Sequence, residues 1–140
     1  MLTIRSALLA TLFMVVATNT FAAPPPNIKA AEAKGFQRVS LEGLKKFIPG
    51  TIKVKGHKGG KYTLTFKADG SVDRTGGVGL DAQTGKWHFD EKNNAYCSTF
   101  EEVMGYQEVC FAVFRAPNGK KFLSYDIEDS FFAQGWRPVK

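Results

Sequence analysis

After Gly50 the apolar residues recur at every second position, and this alternation constrains the fold more than any other feature of the chain. In TIKVK, Ile52 and Val54 fall on one face and two lysines on the other. In KYTLTF, residues 61–66, three apolar side chains share one face opposite two threonines. A period of two is typical of half-buried β-strands. The intervening GHKGG is therefore interpreted as the turn of a β-hairpin.

Further strands are predicted from short apolar or alternating runs between turn signals. They are a short segment around Val72, KWHFD at 86–90, YCSTF at 96–100, EVCFAVFR at 108–115 and KKFLSYDI at 120–127. The glycine-rich stretch Gly76–Gly85 is interpreted as a loop that holds a brief strand at most. EVCFAVFR is apolar on both faces, which predicts a central strand covered on each side. Seven or eight short strands predict a mainly β fold, a small antiparallel barrel or sandwich.

One convincing helix is predicted before the strands, over Ser40–Ile48. Ser40 is a suitable N-cap. Its apolar residues fall on one helical face: Leu41, Leu44, Phe47 and Ile48. Pro49-Gly50 ends the helix. A loose helical turn over Ala30–Lys34 precedes it.

The first 22 residues have the pattern of a secretory signal peptide. The cation Arg5 precedes an eleven-residue apolar run, Ala7–Ala17, and small residues follow at Thr20 and Ala22. The run is too short to span a bilayer as a helix, so cleavage after Ala22 is expected, and a retained membrane anchor is the alternative. Residues 23–39 are interpreted as a spacer and 40–140 as a single domain. The expected location is periplasmic or secreted, with no membrane-spanning segment after cleavage.

The charge balance of the expected mature chain is moderately basic. Removing Arg5 from the 19 Lys and Arg residues leaves 18, against 13 Asp and Glu, which gives a net charge of +5 over 118 residues. This is well short of the charge of a nucleic-acid-binding arm, and an exported protein rarely meets nucleic acid. No nucleic-acid partner is expected.

The chain has two cysteines, Cys97 and Cys110. An even cysteine count in an exported chain predicts one disulfide. Chain entropy gives such a bridge, closing a loop of about 14 residues, a stabilisation of about 3 kcal/mol. Metal ligation is the rival interpretation, but the spacing matches no zinc pattern and only His57 and His88 are available to complete a site.

The order of several short motifs resembles that of a known family. The motifs are an L-x-x-L helix ending in Gly50-Thr51, F-x-x-D-G at Phe66–Gly70, G-x-W at Gly85–Trp87, Cys97, Cys110-Phe111 and a turn ending in Gly119. Over roughly Ser40–Tyr125 the chain is similar to small exported proteins of Gram-negative bacteria that form a lipocalin-like domain-of-unknown-function family. The resemblance implies a lipocalin-like barrel and an exported location, and it carries over no catalytic residue.

Motifs for catalysis or for metal binding are absent from the sequence. It contains no G-x-S-x-G, no H-E-x-x-H and no Walker A spacing around Gly60-Lys61. His57 and His88 are interpreted as solvated side chains. DIEDS, residues 126–130, lacks the calcium-loop pattern and is interpreted as a solvated strand end. The sequence therefore predicts no catalytic residue, no metal and no cofactor.

Charge asymmetry and aromatic content remain as the functional signals. Between Gly43 and Ala68 there are seven lysines and no acid, whereas the segment 90–129 is acidic. The candidate patch for an anionic partner consists of Lys53, Lys55, His57, Lys58 and Lys61. The alternative is that the lysines protect an exposed hairpin edge from aggregation.

The aromatic residues, 12 Phe, 4 Tyr and 2 Trp, either fill the barrel or line a calyx. Phe131-Phe132 and Trp136 are expected to cap one mouth of the barrel or to lie across its edge. The predicted function is that of a non-enzymatic exported binding protein for a small apolar ligand or an anionic envelope component. The alternative is an inhibitor or interaction protein that acts on a secreted or periplasmic enzyme.

Overall fold

The computed structural model describes residues 23–77, 82–101, 107–128 and 133–140, and these contain two short helices and nine strands. The helices are α1 (Ile28–Ala33) and α2 (Leu41–Leu44). The strands are β1 (Gln37–Arg38), β2 (Gly50–Lys55), β3 (Lys61–Phe66), β4 (Ser71–Gly76), β5 (Gln83–Asp90), β6 (Ala95–Thr99), β7 (Glu108–Arg115), β8 (Phe122–Asp126) and β9 (Gln134–Val139).

Strands β2 to β9 form a closed antiparallel barrel. Each strand pairs with the next along the chain, and β9 closes the barrel against β2, where Trp136 is the partner of Val54. The two-residue β1 lies outside this circle and adds to β7 beyond the end of β6. The prediction of a mainly β, lipocalin-like fold with seven or eight strands is confirmed: the fold is a barrel rather than a sandwich, and it has eight strands.

The alternation that predicted the strands also fills the interior of the barrel. Inward residues of β2, β3, β4 and β9 are almost fully buried, among them Ile52, Phe66 and Trp136. Helix α2 extends this core at one end of the barrel, where Leu44 and Ile48 are both 0 % exposed and belong to the same cluster. Burial of these side chains holds α2 across the end of the barrel at which β2 begins.

Helix α2 begins as predicted and ends earlier. The Ser40 hydroxyl accepts a hydrogen bond from the Gly43 amide at 3.1 Å, which confirms the N-cap. After Leu44 the chain tightens into bonds between residues three apart, such as Phe47 N–H to the Leu44 carbonyl. This tighter turn precedes Pro49, whose ring cannot continue a helix.

The outer face of β7 and β8 carries a second apolar cluster, which α1 covers. Ala31 of α1 packs there with Ala112, Phe114 and Tyr125, all of them 0 % exposed. The Tyr125 hydroxyl donates a hydrogen bond to the Pro25 carbonyl at 2.9 Å. Residues 23–39, interpreted from the sequence as a spacer, thus contain a helix and a strand that pack on the barrel. The prediction that β7 is covered on both faces is confirmed.

The predicted disulfide is present and joins adjacent strands. Cys97 of β6 and Cys110 of β7 are direct partners in the register and are bonded through their Sγ atoms. Within the described ranges no helix is long and apolar enough to cross a bilayer.

Strands β5 and β9 also differ from the sequence-based expectation, and some predictions fall on residues that are not described. β5 begins at Gln83, inside the stretch interpreted as a loop, and β9 was not predicted as a strand. Trp136 lies in β9 with its side chain in the core, so it neither caps a mouth nor crosses an edge. The predicted signal peptide, Phe131-Phe132 and Asp129 lie outside the described residues.

Candidate functional site

Cationic side chains from neighbouring strands lie together on the outer face of the barrel. Lys53 and Lys55 alternate along β2 with buried residues and therefore point away from the core. The register places Arg137 of β9 beside Lys53, and Lys61 of β3 beside Lys55. Directly paired residues in a sheet have Cβ atoms about 5 Å apart, so these four cations form one group. On its other side Lys55 pairs with Gly135, which has no side chain to fill the space.

A groove of about 770 Å³ runs across this face. Six cations line it: Lys53, Lys55, Lys61, Lys120, Lys121 and Arg137. Thr63, Thr75 and Gly135 of the outer face contribute to the remaining wall. Residues that alternate with the outward-facing ones on these strands, Val54, Tyr62 and Trp136, also line it, although they pack against the core. We call this surface the basic groove. It lies on the outside of the barrel wall and is open to solvent.

Few negative charges oppose this group of cations. Among the described residues, none of the six has a carboxylate within 4.0 Å. Asp73, which precedes Thr75 on the outer face of β4, is paired with Lys67 at 2.7 Å. Lys67 and the Thr84 hydroxyl lower the pKa of Asp73 by hydrogen bonding to its carboxylate. Cations within a Debye length of one another, about 8 Å at physiological salt, add to a single positive potential.

The structure divides the predicted patch and extends it. Lys53, Lys55 and Lys61 line the basic groove, whereas His57 and Lys58 lie in the turn between β2 and β3 and do not. The sequence interpretation missed Lys120, Lys121 and Arg137. These residues are more than fifty positions away along the chain, and only the closure of the barrel by β9 brings them beside β2.

The barrel interior contains a second group of polar side chains. Arg74 of β4 is only 9 % exposed, and its guanidinium lies 4.5 Å from the centre of the Tyr62 ring. The Tyr62 hydroxyl donates to Gln134 Oε1 at 3.1 Å. Gln83 of β5 is the direct register partner of Arg74. Burial raises the pKa of Tyr62, while the charge of Arg74 and the hydrogen bond to Gln134 act in the opposite direction. We call Arg74, Tyr62, Gln83 and Gln134 the interior polar cluster.

The positive charge of Arg74 is poorly compensated by the side chains around it. Its Nη1 is buried without a hydrogen-bond partner, and no carboxylate of the described residues pairs with it. A guanidinium cannot escape this cost by losing its proton. The contact with Tyr62 returns about 0.5–2 kcal/mol, less than the several kcal/mol that burying an unpaired charge costs.

Other polar groups in the interior are incompletely satisfied as well. Ser124 Oγ and Trp136 Nε1 are buried without hydrogen-bond partners, and both belong to inward-facing residues. Burial strongly raises the pKa of Tyr96, while the Trp136 and Ser124 side chains act in the opposite direction. Native proteins leave few such atoms unpaired.

The two histidines do not form a catalytic arrangement with the described residues. His88 Nε2 lies 2.8 Å from Glu108 Oε2 on the outer face, and its Nδ1 lies 3.0 Å from the Phe89 carbonyl. Hydrogen bonding to Glu108 is the main cause of its raised pKa. Cys97 Sγ lies within 4.8 Å of the His88 and Glu108 ligand atoms, but it is already bonded to Cys110. His57 is exposed in the β2–β3 turn.

The acidic stretch at the end of β8 contains a local turn in its described part. Asp126 Oδ1 accepts a hydrogen bond from the Glu128 amide at 2.9 Å.

Comparison of the chain with protein-family models, with characterised proteins and with solved structures gives no match in any of the three.

Proposed function

We propose that the protein is an exported, non-enzymatic binding protein whose basic groove holds an anionic component of the bacterial envelope. An acidic polysaccharide chain is the form of anion that suits it best, because the cations line a depression that crosses several strands. The observation that carries the proposal is the convergence of six cations, without a carboxylate partner among the described residues, on one open groove of about 770 Å³.

The topology weakens the alternative interpretation of these lysines. Lysines blunt sheet edges, where unpaired backbone groups invite aggregation. β2 pairs with both β3 and β9, and β3 pairs with both β2 and β4, so neither strand is an edge. Edge protection therefore does not account for Lys53, Lys55 and Lys61. A binding role remains as the reason for so many like charges in one place.

The disulfide supports an exported location. Disulfides persist in oxidising compartments such as the periplasm and the extracellular space and are rare in the cytosol. In such compartments the anions available in quantity are acidic glycans and anionic lipid head groups. Electrostatic attraction to these anions depends on salt, because surface charges are screened.

The test is a salt titration of binding to polygalacturonate, a linear acidic polysaccharide. We expect binding at low ionic strength that weakens steadily as salt is added. Replacing Lys53, Lys55, Lys61 and Arg137 together by glutamine should abolish it without lowering the melting temperature. Vesicles containing phosphatidylglycerol serve as the comparison, and binding to these vesicles but not to the polysaccharide would overturn the choice of polymer.

The matched control changes the same number of charges elsewhere. Lys29, Lys46, Lys86 and Lys92 are exposed and do not line the groove. Their replacement by glutamine gives the same net charge as the groove variant. Binding should survive in this control. Equal loss in both variants would show that net charge alone attracts the polymer and would contradict the proposal.

A further inference from the structure

We infer that Arg74 forms an anion-binding site inside the barrel, and that this site takes the carboxylate of a small amphipathic molecule. Arg74 is buried and does not line the basic groove, whose cations Lys53 and Lys55 point away from the core. The two sites adjoin at Tyr62, which lines the groove and contacts the Arg74 guanidinium. The inference does not rest on the proposed function. Its observation is an arginine that is only 9 % exposed and whose Nη1 is buried without a hydrogen-bond partner.

Arg74 lies toward the end of the barrel opposite helix α2. Helix α2 closes the end at which β2 begins, and Leu44 and Ile48 are fully buried there. Arg74 lies near the end of β4, and Gln83 and Gln134 near the beginnings of β5 and β9, which places all three toward the opposite end. A ligand that enters from that end meets the interior polar cluster before the closely packed core.

The local packing holds the guanidinium in place. Tyr62 lies under it at 4.5 Å, and Gln134 fixes the Tyr62 hydroxyl through a 3.1 Å hydrogen bond. A side chain on Gly77 would crowd it, since a Cβ built there lies 2.9 Å from Arg74 Nη2. A positioned guanidinium presents parallel N–H groups that match the two oxygens of a carboxylate.

The surroundings indicate the rest of the ligand. One cation without a carboxylate partner among the described residues favours a single negative charge. Leu64 is the direct partner of Arg74 on β3, and Val72 precedes it on the same face of β4, so the wall beside the guanidinium is apolar. These features together describe a monocarboxylate with a short apolar body.

The experiment compares hexanoate with hexanamide, which has nearly the same shape and no charge. Binding is followed by the side-chain N–H resonances of Arg74 in nuclear magnetic resonance spectra, assigned with Arg74→Lys. We expect hexanoate to bind at least about tenfold more tightly than hexanamide. Arg74→Met keeps the length of the side chain and should remove that preference. Arg115→Met, which changes an exposed arginine of β7, should leave it within about twofold.

Thermal stability provides a second readout. A buried charge that is poorly compensated destabilises the folded state, so Arg74→Met should raise the melting temperature of the free protein. Hexanoate should raise the melting temperature of the wild type and not that of Arg74→Met. Equal binding of hexanoate and hexanamide by the wild type, or no binding of either, would overturn the inference. So would equally strong competition by inorganic phosphate, which lacks an apolar body.

Discussion

At the scale of single residues, Gly135 gives the basic groove its depth. It lies on the outer face of β9, beside Lys55 of β2, and contributes no side chain among the outward-facing cations. A Cβ built on it lies 3.5 Å from Lys55 Cβ, an ordinary contact distance, and its φ is not in the left-handed region. A larger residue is therefore compatible with the backbone and would fill the groove from below.

Two substitutions at Gly135 separate the space of the groove from its charge. Gly135→Gln fills the depression and should weaken polygalacturonate binding several-fold. Gly135→Glu fills it to the same extent and adds a carboxylate among the cations, so it should weaken binding further. Both variants should melt within about 4 °C of the wild type, as surface substitutions usually do. Unchanged affinity in both would show that the polymer does not occupy the groove.

His88 predicts a pH-dependent contribution to stability. Its pKa is raised in the folded protein, chiefly by the hydrogen bond to Glu108. The pair therefore stabilises the fold fully below about pH 6.5, the ordinary histidine pKa, and its contribution is lost as the pH rises through the raised pKa of folded His88. Both side chains are about half exposed, so solvent screening keeps the effect small.

The test is the difference in melting temperature between the wild type and Glu108→Gln. It should favour the wild type by at most about 4 °C near pH 5.5 and vanish near pH 8.5. Glu91→Gln, which removes an exposed acid outside this pair, should show no such dependence. A difference that grows toward alkaline pH would contradict the assignment.

Arg74 shows which features of the interior site could be predicted from residue patterns and which could not. Val72 and Arg74 are two positions apart on β4, so once Val72 was placed in the core, alternation placed Arg74 on the same face. That signal was present in the sequence. The sequence did not reveal that the guanidinium lacks a carboxylate partner among the described residues, because the residues around it come from β3, β5 and β9.

At the scale of elements, predictability followed the regularity of each strand. β2, β3 and β7 were predicted because their apolar periodicity is uninterrupted. β9 was missed because Gly135 and Pro138 break its pattern within six residues. Trp136 is the last residue of β9 that pairs with β8, so Pro138 lies where β9 has no partner strand on that side. A proline, which has no backbone N–H, is tolerated at such a position.

The disulfide between β6 and β7 predicts a loss of stability when it is removed. Cys97→Ala combined with Cys110→Ala should lower the free energy of unfolding by about 3 kcal/mol, because the open loop regains entropy in the unfolded state. Urea unfolding measures the change. Wild-type protein in reductant keeps the side-chain volume and should lose a similar amount. A loss below about 1 kcal/mol in both would contradict the estimate.

At the scale of the whole molecule, closure of the barrel creates the basic groove. β9 comes last in the chain and pairs with β2, so Arg137 lies beside Lys53 although 84 positions separate them. The charge asymmetry of the sequence indicated that one part of the protein would be positive, and Lys53, Lys55 and Lys61 were identified from it. The shape of the basic groove depended on a contact between distant strands, which local sequence patterns do not encode.

The central claim is that an acidic polymer binds along the wall of the barrel, and a backbone amide map tests it most directly. Polygalacturonate is added to ¹⁵N-labelled protein and the amide shifts are followed. We predict that the changes concentrate on Lys53, Thr63, Gly135 and Arg137, and disappear at high salt. Changes centred on the turn at residues 56–60 or on β5 and β6, with the groove amides unmoved, would contradict it.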